Sequence, residues 1–219
     1  MEYKHPADTQ RLTVIGKTGS GKTQGAAFHL AGRSYDRKPW IVFDFKLDGL
    51  LNEIPFTQEW DITSPVPKKP GIYLTHPLPG QEDLVEQALW RIWAKENVGV
   101  YIDELYMINK NSHAFKSLLT QGRSKRIPVI MLTQRPVDVS RFCFSEADFI
   151  QLYTLTDKRD YKTVKEFMPL PIETQLPGPY YSWWWDNARN YKAVLKPVPD
   201  ENTILNAFHS RLAPNRKTI

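Results

Sequence analysis

An α/β fold, with a mostly parallel central sheet, helices on both faces and a C-terminal β-hairpin extension, is what this 219-residue sequence predicts. Three observations carry the prediction. Short runs that are apolar throughout alternate with amphipathic stretches, the pattern of a parallel sheet covered on both faces. A glycine-rich loop follows the first of these runs directly. Near the C-terminus, runs over 180–185 and 191–196 flank Asp186-Asn187-Ala188-Arg189-Asn190 and read as a hairpin at one sheet edge.

In chain order, 12–15 is a buried strand and a helix follows over 22–33. A second buried strand is expected at 40–45. Residues 55–70, with four prolines, are an irregular excursion. A strand at 71–75 leads to a helix at 81–95, where Leu84, Ala88 and Ile92 recur at helical spacing. Strands at 98–102, 127–133 and 148–155 alternate with helices at 112–124 and 157–167. A proline-rich turn (Pro169, Pro171, Pro177, Pro179) precedes the hairpin, and a helix covers 200–211. Everything fits one domain over 1–219, with a core at 11–168 and a hairpin and helix at 178–212.

Composition narrows the class. Hydrophobic residues make up 41% and charged residues 24%, as in ordinary globular proteins. A net charge of +5 is compatible with nucleic acid and does not demand it. The single cysteine, Cys143, permits no intrachain disulfide and reads as core filler. No apolar run approaches the roughly 18 residues of a membrane span. The N-terminus, Met1-Glu2-Tyr3-Lys4-His5, lacks an apolar signal core. The expected setting is cytosol, or a particle assembled there.

Gly16-Lys17-Thr18-Gly19-Ser20-Gly21-Lys22-Thr23 fills the G-x-x-x-x-G-K-[ST] pattern. Its glycines let backbone N–H groups curl around phosphates, and the helix beginning near Lys22 aims its positive dipole end at them. Lys22 is expected at the β and γ oxygens, and the Thr23 hydroxyl on magnesium. Chance gives such a match in roughly one chain in a hundred of this length. Here the loop also follows an apolar strand and opens a helix. The predicted ligand is a nucleoside triphosphate, with ATP the default, together with Mg²⁺.

The strand at 98–102 ends in Asp103-Glu104. Two carboxylates at a buried strand end need a counter-charge. Magnesium, held by Asp103 through water, supplies it, and Glu104 then serves as general base. A lone pair of this kind would be read as a helix cap; the upstream loop decides for catalysis. The strand at 127–133 ends at Thr133-Gln134. If it lies between the strands bearing the two motifs, Gln134 faces the γ-phosphate; otherwise it merely caps a strand.

The loop, the Val98-Gly99-Val100-Tyr101-Ile102-Asp103-Glu104 segment, and Gly122-Arg123 followed by a strand and Thr133-Gln134-Arg135-Pro136 together resemble the FtsK–HerA superfamily of DNA-pumping ATPases. Asp44-Phe45-Lys46 resembles the D-x-K ending the second strand there. The likeness spans about 11–136. It implies a RecA-like core with an extra strand between the two motif strands, and hexamers threading DNA through a pore. It also implies an arginine reaching a neighbour's γ-phosphate. Arg123 is favoured and Arg126 also qualifies; solvated helix-end cations are the alternative for both. Lys110, in the polar segment 109–113, is a candidate DNA contact or an ordinary surface lysine. Trp183-Trp184-Trp185 is expected to pack on both faces of a strand, one face needing a cover such as a neighbouring subunit. Trp90 and Trp93 are read as packing residues.

The small size and lack of accessory domains resemble the genome-packaging ATPases of tailless, membrane-containing, double jelly-roll viruses. That branch implies double-stranded DNA pumped into a preformed capsid. It also implies capsid-vertex or membrane proteins as partners, and a location in host cytoplasm and virion. Two alternatives stay open: a filamentous-phage assembly ATPase similar to zonula-occludens-toxin-like proteins, and a non-motor P-loop kinase.

Overall fold

The computed structural model describes residues 6–169, 171 and 174–212. The elements are β1 (Leu12–Ile15), α1 (Lys22–Ala31), β2 (Pro39–Phe43), α2 (Gly49–Asn52), β3 (Gln58–Glu59), β4 (Gly71–Thr75), α3 (Glu82–Lys95) and β5 (Gly99–Ile102). There follow α4 (His113–Gln121), β6 (Val129–Thr133), α5 (Phe142–Ser145), β7 (Phe149–Leu152), α6 (Lys158–Lys165), β8 (Ser182–Asp186), β9 (Tyr191–Leu195) and α7 (Glu201–Leu212). Single 3-10 turns stand at Leu105–Met107 and Pro136–Asp138.

One nine-stranded sheet has the order β3-β4-β2-β5-β6-β1-β7-β8-β9. Pairing is parallel from β3 through β7 and antiparallel at β7–β8 and β8–β9. The α/β class, the parallel sheet and the edge hairpin are as the sequence predicts. β6 lies between β1 and β5, in register with both. All three strands therefore end at the same sheet margin, where open α/β sheets bind ligands.

The central strands are buried along their whole length. The core divides into two clusters, one on each face of the sheet. Val85, Leu89, Ile92, Phe115 and Leu118 of α3 and α4 belong to one. Ala26, Ala27 and Leu30 of α1, with Ile204 and Phe208 of α7, belong to the other. Cys143 is fully buried, and burial pushes its thiol far above the ordinary value, as filler requires.

Several boundaries differ from expectation. α1 stops at Ala31 because Gly32 follows, its N–H closing onto the His29 carbonyl and the Arg33 N–H onto that of Leu30. Ser112 is the cap of α4, not its first residue; its hydroxyl accepts from the Phe115 N–H. β6 begins after Pro128, which has no N–H for the ladder. The short β3 and α2 lie in stretches too brief for a periodic signal. The expected turn at 169–179 falls partly outside the described residues.

The tryptophan run needs no neighbouring subunit as a cover. Trp184 is fully buried, stacked on Phe149 with centroids 5.0 Å apart, and belongs to the α1–α7 cluster. Trp183 and Trp185 pack into the opposite cluster. The chain itself supplies both covers. Trp90, in contrast, is 38% exposed and meets Trp93 edge-on, so it is less of a packing residue than expected.

Candidate active site

The loop between β1 and α1 is fastened at its entry to two neighbouring strands. The Gly16 N–H donates to the Thr133 carbonyl at 3.2 Å and the Lys17 N–H to the Thr154 carbonyl at 2.9 Å. Gly19 and Gly21 have φ of 74° and 88°, the left-handed region in which a side chain is strained. α1 has no side-chain cap and no acidic residue in its first turn, whereas Asp48, Ser112 and Asp157 cap α2, α4 and α6. Its first N–H groups are thus left for a ligand.

Tyr153, just past the end of β7, supports the loop from beneath. A Cβ at Gly16 would stand 2.7 Å from the Tyr153 Cβ, and one at Gly25 would run into the Tyr153 hydroxyl. That hydroxyl accepts from Gln151 Nε2 at 3.1 Å, and Gln151 also reaches His29 and Ser182. Gly25→Ala sets two effects against each other. Alanine normally gains about 1 kcal/mol in a helix interior, but overfilling a packed core costs about 1–3 kcal/mol. Tyr153 is 3% exposed and bonded, so it cannot yield cheaply. The expected outcome is a lower thermal midpoint, partly restored by adding Tyr153→Phe; a raised midpoint would contradict this packing.

Lys22 is 5% exposed and makes no hydrogen bond among the described residues; its nearest ionic partner is Glu104 Oε1, at 3.9 Å. Burial lowers its pKa, opposed by Asp103 and then Asp48. Asp103 is fully buried, and neither carboxylate oxygen has a hydrogen-bond partner among the described residues. Its pKa is raised to about 6, chiefly by burial, while Lys22 and Lys46 pull it down. Two orphaned carboxylate oxygens beside a phosphate loop suit a divalent cation and its waters. Thr23, half-buried in the first turn of α1, is the other predicted metal ligand.

Glu104 is 1% exposed and sits in the left-handed region, φ 54°. Its Oε2 accepts from Gln134 Nε2 at 3.1 Å, and Gln134 Oε1 accepts from the Thr18 hydroxyl at 2.6 Å. Gln134 thus joins the loop to Glu104. Lys46 forms an ion pair with Glu104 Oε1. Lys46 was not singled out from sequence for this contact. The available signal was Asp44-x-Lys46-x-Asp48 straight after a buried strand. The buried Asp44 carboxylate accepts from the Lys46 and Asp48 N–H groups and from Asn52 Nδ2, shaping the turn that sends Lys46 back to Glu104. Tyr153 was missed too; an aromatic at a strand end carries no signal of its own.

The structure brings residues 16–23, Asp103, Glu104 and Gln134 together. It does not bring Arg123 and Arg126 to them. Both are exposed and precede β6, at the sheet margin opposite the loop. Neither can serve the site of its own chain. Arg135 is tied within the chain to Asp138, Asp157 and Asp160. Lys110 is exposed in the segment joining the Leu105–Met107 turn to α4.

This loop, helix and carboxylate pair on a parallel sheet define a P-loop nucleoside triphosphatase. No protein-family model matches the sequence. The chain is 43% identical over 218 residues to the DNA packaging ATPase P9 of Enterobacteria phage PRD1, covering 95% of this chain and 96% of that one. The chain therefore belongs to the family of viral DNA-packaging ATPases. Among solved structures it resembles the genome packaging NTPase B204 of Sulfolobus turreted icosahedral virus 2 in complex with AMPPCP. That match has a TM-score of 0.70 at 15% identity and covers 88% of this chain and 100% of that one. EssC (ATPases 2 and 3) of Geobacillus thermodenitrificans matches with a TM-score of 0.64 at 12% identity, covering 93% of this chain and 44% of that one.

Proposed function

We propose that this chain is an ATP-driven pump that moves viral double-stranded DNA into a preformed capsid. The supporting observation is 43% identity, over nearly the full length, to a DNA packaging ATPase, together with a loop–carboxylate–glutamine constellation at one sheet margin. The N–H groups of 16–23 and the start of α1 cradle the phosphates, and Lys22 binds the β and γ oxygens. Thr23 and, through water, Asp103 hold magnesium, which neutralises phosphate charge when bound. Glu104 takes the proton of the attacking water. Gln134, bonded to both loop and base, registers whether the γ-phosphate is present.

Among the described residues no arginine side chain pairs with the loop, Glu104 or Gln134, and Arg123 or Arg126 comes from a neighbour in a ring, read as a hexamer. Lys110 touches the DNA backbone. The pump acts in the host during assembly, docked on capsid-vertex or membrane proteins. No helix among the described residues is long and apolar enough to cross a membrane.

The test of function is Mg-ATP hydrolysis with and without DNA. Double-stranded DNA should stimulate turnover; stimulation by single strands alone would favour a filamentous-phage type of pump, and none at all a non-motor enzyme. Arg123→Ala should cut stimulated turnover about 10³-fold or more. Mixing it with Glu104→Gln should restore part of the activity at interfaces pairing an intact base with an intact arginine. Absence of rescue would count against a shared site using Arg123.

A further inference from the structure

Next to the phosphate loop is a cleft that the phosphate chemistry leaves unused. It encloses about 210 Å³ between Gly21, Gln24, Tyr153, Tyr180, Pro197 and Val198. Tyr180 is its most unusual wall. The ring is 54% exposed, and its backbone is in the left-handed region with φ 63°, rare for a bulky residue. Such conformations persist where surrounding structure enforces them, and they cluster at ligand clamps. The ring lies against the loop: a Cβ on Gly21 would come within 3.0 Å of Tyr180 Cδ1. Gly21 thus answers both to its own dihedral and to this neighbour.

The opposite wall is the segment between β9 and α7. It is pinned to α1 by Gln24, whose Nε2 donates to the Pro199 carbonyl at 2.7 Å. Gln24 follows directly on Lys22 and Thr23, so the cleft begins where the phosphate cradle ends. A cleft of mixed polar and apolar lining, with the Tyr153 and Tyr180 rings in its walls, suits a heteroaromatic ring that also carries polar edges.

We propose that this cleft holds the purine base of the nucleotide, stacked on Tyr180 and covered by Pro197 and Val198. The proposal rests on the reading that residues 16–23 hold the triphosphate. It adds a base-binding role for Tyr180 and Gln24. With one N–H of its amide bonded to Pro199, which fixes the orientation of the side chain, Gln24 offers an acceptor, Oε1. An acceptor matches the exocyclic amine of adenine and not the carbonyl of guanine.

The test compares Mg-ATP with inorganic Mg-tripolyphosphate, which carries the phosphates and no base, by calorimetric titration of the full chain. Wild type, Tyr180→Ala and Tyr180→Phe are measured. Loss of a stacking ring typically weakens base binding about 5- to 150-fold. Tyr180→Ala should weaken Mg-ATP by that order and leave tripolyphosphate unchanged, and Tyr180→Phe should bind ATP like wild type. Unchanged ATP affinity in Tyr180→Ala would overturn the proposal. So would equal losses for both ligands, which would mean that the ring only braces the loop at Gly21. A wild type that binds neither ligand would instead overturn the phosphate-loop reading and the base site with it.

Discussion

Glu104→Gln is expected to lower ATP turnover about 10²- to 10⁴-fold while nucleotide binding is kept or strengthened. The size follows from removing a general base, and the direction of the binding effect from charge. Asp44, Asp48 and Asp103 lie about the ammonium groups of Lys22 and Lys46, a relation visible in the pKa shifts of Lys22, Lys46 and Asp103, and Glu104 pairs with both lysines. Replacing one carboxylate with a neutral isostere makes that environment less repulsive to a polyanion. The amide retains the shape of the side chain and its place beside Gln134. Single-turnover hydrolysis beside equilibrium titration separates the two effects. Retention of more than about a tenth of wild-type turnover would assign the proton transfer elsewhere.

Lys22→Ala is expected to fail at binding, not only at chemistry. The side chain is an almost wholly buried ammonium without a hydrogen bond among the described residues, so its donors are free for a ligand. Truncating one partner of a buried charged contact costs about 2–5 kcal/mol, or about 30- to several-thousandfold in affinity. The carboxylates would then face incoming phosphates without the ammonium that lies between them and the loop. Titration with Mg-ATP should detect no saturable binding at concentrations that saturate wild type, and turnover should vanish with it. Lys22→Arg should not substitute, because a planar guanidinium does not fit a space built for a point charge. An alanine variant that binds ATP normally would remove Lys22 from the phosphates.

Much of this architecture was legible in the sequence because buried parallel strands are apolar throughout and the loop pattern leaves few substitutes. The place of β6 between β1 and β5 was legible only through the family resemblance, since strand order has no local signature. Side-chain reach was the least legible. Nothing in the residue order says that Lys46 bends back to Glu104, because that depends on Asp44 collecting three donors in one turn. Nor does it say that Tyr153 lies under three glycines of one segment, a contact made across the sheet. The two arginines were legible as cations near β6, but their distance from the loop follows only from the parallel direction of that strand.

The pairing of Lys46 with Glu104 has a consequence for an idle motor. Before fuel arrives, the group that would activate water is already engaged by Lys46 and Gln134, with Lys22 close by. In the proposed mechanism a triphosphate would compete for the same ammoniums and draw them away, so that the fuel itself would release the safety catch. A carboxylate held in this way would be a poor base for water until a complete substrate is aboard, which would limit wasted turnover between strokes.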